Sequence, residues 1–158
     1  MKHTAILFVC MGNICRSPLA EGILRNLADS AALHQLTVDS AGTGGWHRGD
    51  TPDPRSIAMA RRHGIDISLQ RARQVTAADF ETFDLVFAMD ENNLANLLRL
   101  SSERHRHKIH LFMEYAAGRR ENVPDPYYGA EDGFLTVYNM LLAGCRSLLE
   151  KIELDRAS

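Results

Sequence analysis

The sequence predicts an α/β fold, a parallel sheet covered by helices on both faces. Two observations predict it. Short apolar runs alternate with helical periodicities along the whole chain, the order expected of strand–helix–strand units with right-handed crossovers. The first apolar run ends in Cys10-Met11-Gly12-Asn13-Ile14-Cys15-Arg16-Ser17-Pro18, a loop that turns a strand into a helix. Ligands of such sheets bind beyond the C-terminal ends of the strands, and Cys10 lies at one of those ends.

Each element follows from its pattern. Ala5-Ile6-Leu7-Phe8-Val9 reads as a buried parallel strand. Ser17 then suits an N-cap and Pro18 a first helical position. The helix runs from Ser17 to about Ala31, with Leu19, Ile23, Leu24 and Leu27 at helical spacing. Leu36 to Ser40 reads as a second strand, followed by a turn at Gly42, Gly44 and Gly45. Pro54 opens a helix carrying Ile57, Ala58 and Ala60, and Gly64 ends it. Asp84 to Met89 is a third strand, Asn92 to Leu100 a helix, and Ile109 to Met113 a fourth strand. Ala116 to Gly129 reads as a long functional loop. The last helix lines up Phe134, Val137, Tyr138, Leu141, Cys145, Leu148 and Ile152 on one face.

Composition narrows the class. The 158 residues suit one domain, 1–158, with a sizeable core. A net charge of −2 argues against a dedicated nucleic-acid binder. The apolar runs are too short to span a bilayer, and residues 1–10 lack signal-peptide character, so membrane insertion is not expected and a cytoplasmic location is. Three cysteines do not make a secreted disulfide framework. A monomer or weak homodimer is expected.

The loop carries the chemistry. Its backbone N–H groups can turn toward an anion beside a helix N-terminus. Gly12 admits backbone angles closed to other residues. Arg16 adds a planar two-pronged donor for phosphate oxygens. A thiol at Cys10 in that field favours its thiolate and serves as a nucleophile. His105, His107 and His110 sit among Arg104, Arg106 and Lys108, which would repel a cation. A solvated basic connection is the better reading, and no metal or other cofactor is expected.

These residues resemble the low-molecular-weight protein tyrosine phosphatases. Ser40-Ala41-Gly42-Thr43, Pro52-Asp53-Pro54-Arg55, Ala72-Arg73-Gln74, Met89-Asp90-Glu91 and Asp125-Pro126-Tyr127-Tyr128 also look like family segments, in the family's order. The resemblance implies a four-stranded sheet and a metal-independent hydrolysis of phosphotyrosine in protein substrates through a phosphocysteine on Cys10. Arg16 would hold phosphate within the loop Met11, Gly12, Asn13, Ile14, Cys15, Arg16 and Ser17. Asp125 would act as general acid and then base. Ser17 would donate a hydrogen bond to the Cys10 sulfur, and Asn13 would brace the loop with Ser40.

Trp46, Tyr127 and Tyr128 would wall a slot for a phenyl ring, with Met11 and Ile14 in its lining. Arginine-phosphate-specific members tend to carry threonine where this chain has Ile14, which favours phosphotyrosine. The resemblance also implies that Cys15 forms a reversible disulfide with Cys10. One position departs: many members have a histidine where this chain has Gln70, which hydrogen-bonds but does not titrate. Two rivals are an arsenate reductase of the same fold and a non-catalytic phosphopeptide-binding module. The first needs cysteines that the stretch between Cys15 and Cys145 lacks. The second needs neither a thiol nor an acid.

Overall fold

A computed structural model describes residues 3–127, 129 and 131–157. Its sheet has four parallel strands: β1 (Thr4–Cys10), β2 (Leu36–Gly42), β3 (Leu85–Ala88) and β4 (Ile109–Leu111), in the order β2-β1-β3-β4. The helices are α1 (Arg16–Ser30), α2 (Pro54–Arg61), α3 (Ala77–Thr82), α4 (Glu91–Leu100), α5 (Phe112–Ala117) and α6 (Glu131–Ala157).

β1 shows why its sequence is apolar throughout. Ile6, Phe8 and Cys10 point into one core, with Leu19, Ile23 and Leu24 of α1 and Val137, Leu141 and Leu148 of α6. Ala5, Leu7 and Val9 point into the other, with Phe80 of α3, Leu97 of α4, Val86 and Ile109. Successive residues of a strand face opposite ways, so a strand covered twice must be apolar at every position. The Phe8, Phe87 and Phe112 rings meet at centroid distances of 5.3 to 5.8 Å in the first core. All seven residues read as the buried face of the last helix are buried in α6.

The strand order sets the site. The chain leaves β1 for β2 on one side and returns to β3 on the other. The order therefore reverses between β1 and β3, and the crevice at their C-terminal ends receives Cys10 from one strand and Asp90 from the other.

Several boundaries differ from the sequence reading. Ser17 does not cap α1. The helix begins at Arg16, with Cys15 at the cap position and no side-chain cap, because the Ser17 hydroxyl is engaged with Cys10 and Asn13. Pro18 is consequently the third helical residue. β2 extends to Gly42. β4 stops at Leu111, and Phe112–Ala117 turns into α5, closed by Gly118 in the left-handed region at φ 73°. In α2 Ala58 faces outward and Ile57 is half-buried against the first core; the buried positions there are Ser56, Met59 and Ala60. α3 was not expected. Its start carries a capping box between Thr76 and Asp79, and Asp79 also binds Arg73 at 3.0 and 3.1 Å.

Asp79→Ala removes the helix cap and a carboxylate partner of Arg73 together. The cap alone is worth about 0.5–2 kcal/mol. Urea denaturation is expected to show a loss of about 2–3 kcal/mol once the charge-assisted bonds are added. A loss below about 0.5 kcal/mol would mean that neither interaction matters to the fold.

Candidate active site

The loop from Cys10 to Arg16 is shaped by donors outside it. The Cys10 and Met11 carbonyls accept from the N–H groups of Thr43 and Gly44 at 2.9 and 3.0 Å. The Ile14 carbonyl accepts from the Asp53 N–H at 2.8 Å, and the Cys15 carbonyl from the Ser56 hydroxyl at 3.4 Å. In a trans peptide the C=O and N–H point in opposite directions. Drawing these four carbonyls outward therefore turns the N–H groups of Met11, Gly12, Cys15 and Arg16 the other way. A Cβ on Gly42 would lie 2.8 Å from the Met11 carbonyl oxygen, so β2 approaches the loop as closely as a glycine allows.

Asn13 holds the turn in the left-handed region at φ 58°. The Arg73 backbone N–H donates to its Oδ1 at 3.0 Å. A backbone N–H can only donate, so this bond fixes the amide, and Nδ2 must donate. It reaches Ser17 Oγ at 2.8 Å and Ser40 Oγ at 3.0 Å. Each hydroxyl has a single hydrogen. Ser17 Oγ accepts from Asn13 and lies 3.0 Å from Cys10 Sγ and 3.4 Å from the Ala41 carbonyl, so its one hydrogen is within reach of the sulfur and is the hydrogen that a Cys10 thiolate would accept. Ser40 gives its hydrogen to Glu21 Oε1 at 2.7 Å. Burial raises the Glu21 carboxyl above its ordinary range, against the pull of Ser40 and Arg25. Gln70 stands outside this chain: its Nε2 donates to the Pro18 carbonyl at 3.1 Å.

Arg16 is 2% exposed. A cation in the first turn of a helix meets the positive end of the helix dipole, so it needs anions. Nη1 binds Asp90 Oδ2 at 2.6 Å and the Val123 carbonyl at 3.0 Å, while Nη2 faces Asp125 Oδ2 across 3.6 Å. Burial opposes the charge on Arg16, but Cys10, Asp90 and Asp125 outweigh it and raise its pKa above the ordinary value. Asp90 also caps α4 through the Asn93 N–H at 2.8 Å, so the residue orienting Arg16 is itself locked. The sequence reading quoted Asp90 without giving it this role. Its position at the C-terminal end of the strand beside Cys10 was the available signal.

Asp125 accepts the Tyr127 N–H at 3.0 Å and is partly exposed at the cleft wall. The cleft has a volume of about 320 Å³ and is lined by Cys10, Met11, Gly12, Ile14, Arg16, Trp46, His47, Asp125 and Tyr127, among others. Of the expected residues, Cys10, Met11, Gly12, Ile14, Cys15 and Arg16 of the loop, Trp46 and Tyr127 of the wall and Asp125 border this cavity, while Asn13 and Ser17 do not line it. Tyr128 lies outside the described residues. Cys15 is buried; burial first, then Asp53 and Cys10, push its thiol up to about 12, against a hydrogen bond from Ser56.

A model of the low molecular weight phosphotyrosine protein phosphatases matches residues 5–158. The chain belongs to this family. It is a protein tyrosine phosphatase, a hydrolase acting on phosphomonoesters, with Cys10 and Arg16 in the N-terminal phosphate-binding loop. It is similar to the low molecular weight phosphotyrosine protein phosphatase of Schizosaccharomyces pombe, 44% identical over 96% of this chain and 98% of that one. The phosphatase also resembles a protein tyrosine phosphatase crystal structure from Entamoeba histolytica, with TM-score 0.91, 36% identity and coverage of 97% and 99%. A Drosophila arginine phosphatase superposes with TM-score 0.87 at 36% identity, covering 96% and 98%.

Arg55 was not singled out as a site residue, yet it ties the phosphatase's Asp125 loop to its phosphate loop. It binds the Asp53 carboxylate through two nitrogens at 3.0 and 2.9 Å and donates to the Tyr127 carbonyl at 3.0 Å. Its guanidinium lies 4.6 Å from the Phe134 ring centroid. Burial works against the Asp53 carboxylate, but the bonds from Arg55 prevail and hold it below the usual range. Small displacements of a catalytic group can cost on the order of a hundredfold in rate. Arg55→Met is expected to lower kcat for phosphotyrosine about tenfold or more. Inhibition by inorganic phosphate should change little. Equal weakening of phosphate inhibition, or an unchanged kcat, would show that Arg55 does not position the Asp125 loop.

Proposed function

We propose that the phosphatase acts on phosphotyrosine in proteins by two displacements at phosphorus. The observation that carries the proposal is Cys10, with the Ser17 hydroxyl 3.0 Å from its sulfur, set in one cleft with Arg16 and Asp125. In the first step the Cys10 thiolate attacks phosphorus as the P–O bond to the phenol breaks. Asp125 gives its proton to the departing oxygen. In the second step water attacks the phosphocysteine, Asp125 takes a proton from that water, and the Cys10 thiolate leaves with the Ser17 hydrogen bond stabilising it. Arg16 and the inward N–H groups hold the equatorial oxygens, where charge spreads in the transition state.

One similar structure is that of an arginine phosphatase, so the cleft walls bear on which of the two phosphoamino acids fits. Ile14 supports tyrosine. It lines the cleft with a side chain that offers no hydrogen bond, beside Met11, Trp46 and Tyr127. A flat phenyl ring suits such walls better than a guanidinium with several donors. The cysteines Cys10, Cys15 and Cys145 are all free, which supports action in the reducing cytoplasm. Among the described residues no helix is long and apolar enough to cross a membrane.

A general acid matters most for a strongly basic leaving group. Asp125→Ala should slow hydrolysis of phosphotyrosine by about 10²–10⁴. Esters of acidic phenols should lose far less, and the dependence of rate on leaving-group pKa should steepen. A uniform loss across a series of aryl phosphates would mean that Asp125 only shapes its loop.

The buried, protonated Cys15 is a poor first target for peroxide, whereas Cys10 lines the cleft beside the Arg16 cation, which favours its thiolate. Peroxide oxidises the Cys10 thiolate to a sulfenic acid with release of hydroxide. Cys15 then displaces water to form the disulfide. Mass spectrometry of oxidised protein is expected to show the peptide bearing both cysteines two hydrogens lighter, and a thiol reductant should restore activity. Equal recovery of Cys15→Ser and wild type, with no such mass loss, would remove Cys15 from the switch.

A further inference from the structure

We infer that Gly44 is a specificity-determining residue, because its missing side chain makes room for the Trp46 indole at the mouth of the cleft. This rests on the reading of Trp46 as a wall for the substrate ring. A Cβ placed on Gly44 would lie 1.8 Å from Trp46 Cζ3 and 2.3 Å from Cε3 and Cη2. The indole therefore occupies the volume that any other residue at position 44 would fill. Conformation does not demand the glycine: among the glycines with positive φ are Gly49, Gly64 and Gly118, and Gly44 is not one of them.

The backbone at Gly44 cannot yield to a new side chain. Its N–H donates to the Met11 carbonyl at 3.0 Å, and the neighbouring Thr43 N–H donates to the Cys10 carbonyl at 2.9 Å. The loop is pinned again by Gln74, which donates to the Thr43 carbonyl at 3.2 Å and accepts from Arg48 at 2.9 Å. The indole is what gives way. Trp46 is 72% exposed, so it can swing into solvent without opening a core. A methyl group at position 44 thus acts on the wall and leaves the phosphate loop in place.

The chain has a single tryptophan, so its fluorescence reports on this ring alone. Gly44→Ala, Trp46→Ala and the double variant are to be compared with wild type on a phosphotyrosine peptide, with inorganic phosphate as inhibitor. Gly44→Ala is expected to shift the emission and to raise KM about three- to tenfold, the worth of one aromatic contact. It should leave kcat within about twofold and phosphate inhibition unchanged. Gly44→Ser should behave alike. In the Trp46→Ala background, Gly44→Ala should have no further effect. An unchanged KM in Gly44→Ala beside a raised KM in Trp46→Ala would overturn the role of Gly44 and keep the wall. An unchanged KM in Trp46→Ala would overturn the wall itself. An effect of Gly44→Ala that persists without Trp46, or that comes with unaltered emission, would also overturn the inference.

Discussion

A guanidinium buried to 2% exposure needs anions around it, and much of this structure is arranged to supply them to Arg16. Leaving such a charge unpaired costs several kcal/mol, comparable to the whole stability of a domain of this size. Asp90 meets the need from the end of β3, Val123 with a carbonyl from the long loop, and Asp125 from across the cleft. Those partners come from parts of the chain 74 to 109 residues away in sequence, so the charge forms its contacts only in the folded topology. β1 and β3 must be neighbours for Asp90 to arrive, and the Val123 N–H must reach the Met89 carbonyl, 2.8 Å away, for the loop to dock. Phosphate binding and the sheet order are thus two aspects of one electrostatic requirement.

The second governing element is the direction of hydrogen bonds. One backbone N–H, that of Arg73, decides which way the Asn13 amide points, and the Asn13 amide in turn donates to Ser17 Oγ and holds that hydroxyl beside the Cys10 sulfur. Arg73 is itself anchored by its side chain to Asp39 and Asp79. The placement of a hydroxyl beside the sulfur is therefore inherited from a salt-bridged arginine outside the cleft. Polar groups held this way need not reorganise as charge moves to and from Cys10.

Local chemistry made part of this legible in the sequence. The alternation of elements, the apolar strand β1 and the Cys10–Arg16 loop each follow from neighbouring residues. The reading failed where tertiary demands override local preference. Ser17 has the composition of a helix cap, but the sulfur of Cys10 competes for its hydroxyl and wins. The run Ile109 to Met113 is apolar enough for a strand or a buried helix, and periodicity over five residues does not separate the two. The structure divides it after Leu111. Asp90 and Arg55 were visible as letters but not as roles, since their partners lie far along the chain. Asp79 is the exception: its capping box with Thr76 is local, and it announces α3 to a reader who looks for it.

The outward-drawn carbonyls of Cys10, Met11, Ile14 and Cys15 have a consequence for how such a site can change over time. The donors they leave facing the anion are peptide N–H groups, which belong to every residue except proline. Substitutions at Met11 or Ile14 therefore alter the walls of the cleft without deleting a phosphate donor. Selection can exchange one leaving group for another at the rim while the apparatus for the phosphoryl group stays constant. Relatives of nearly identical shape whose names assign them different phosphoamino acids are what such a division of labour produces.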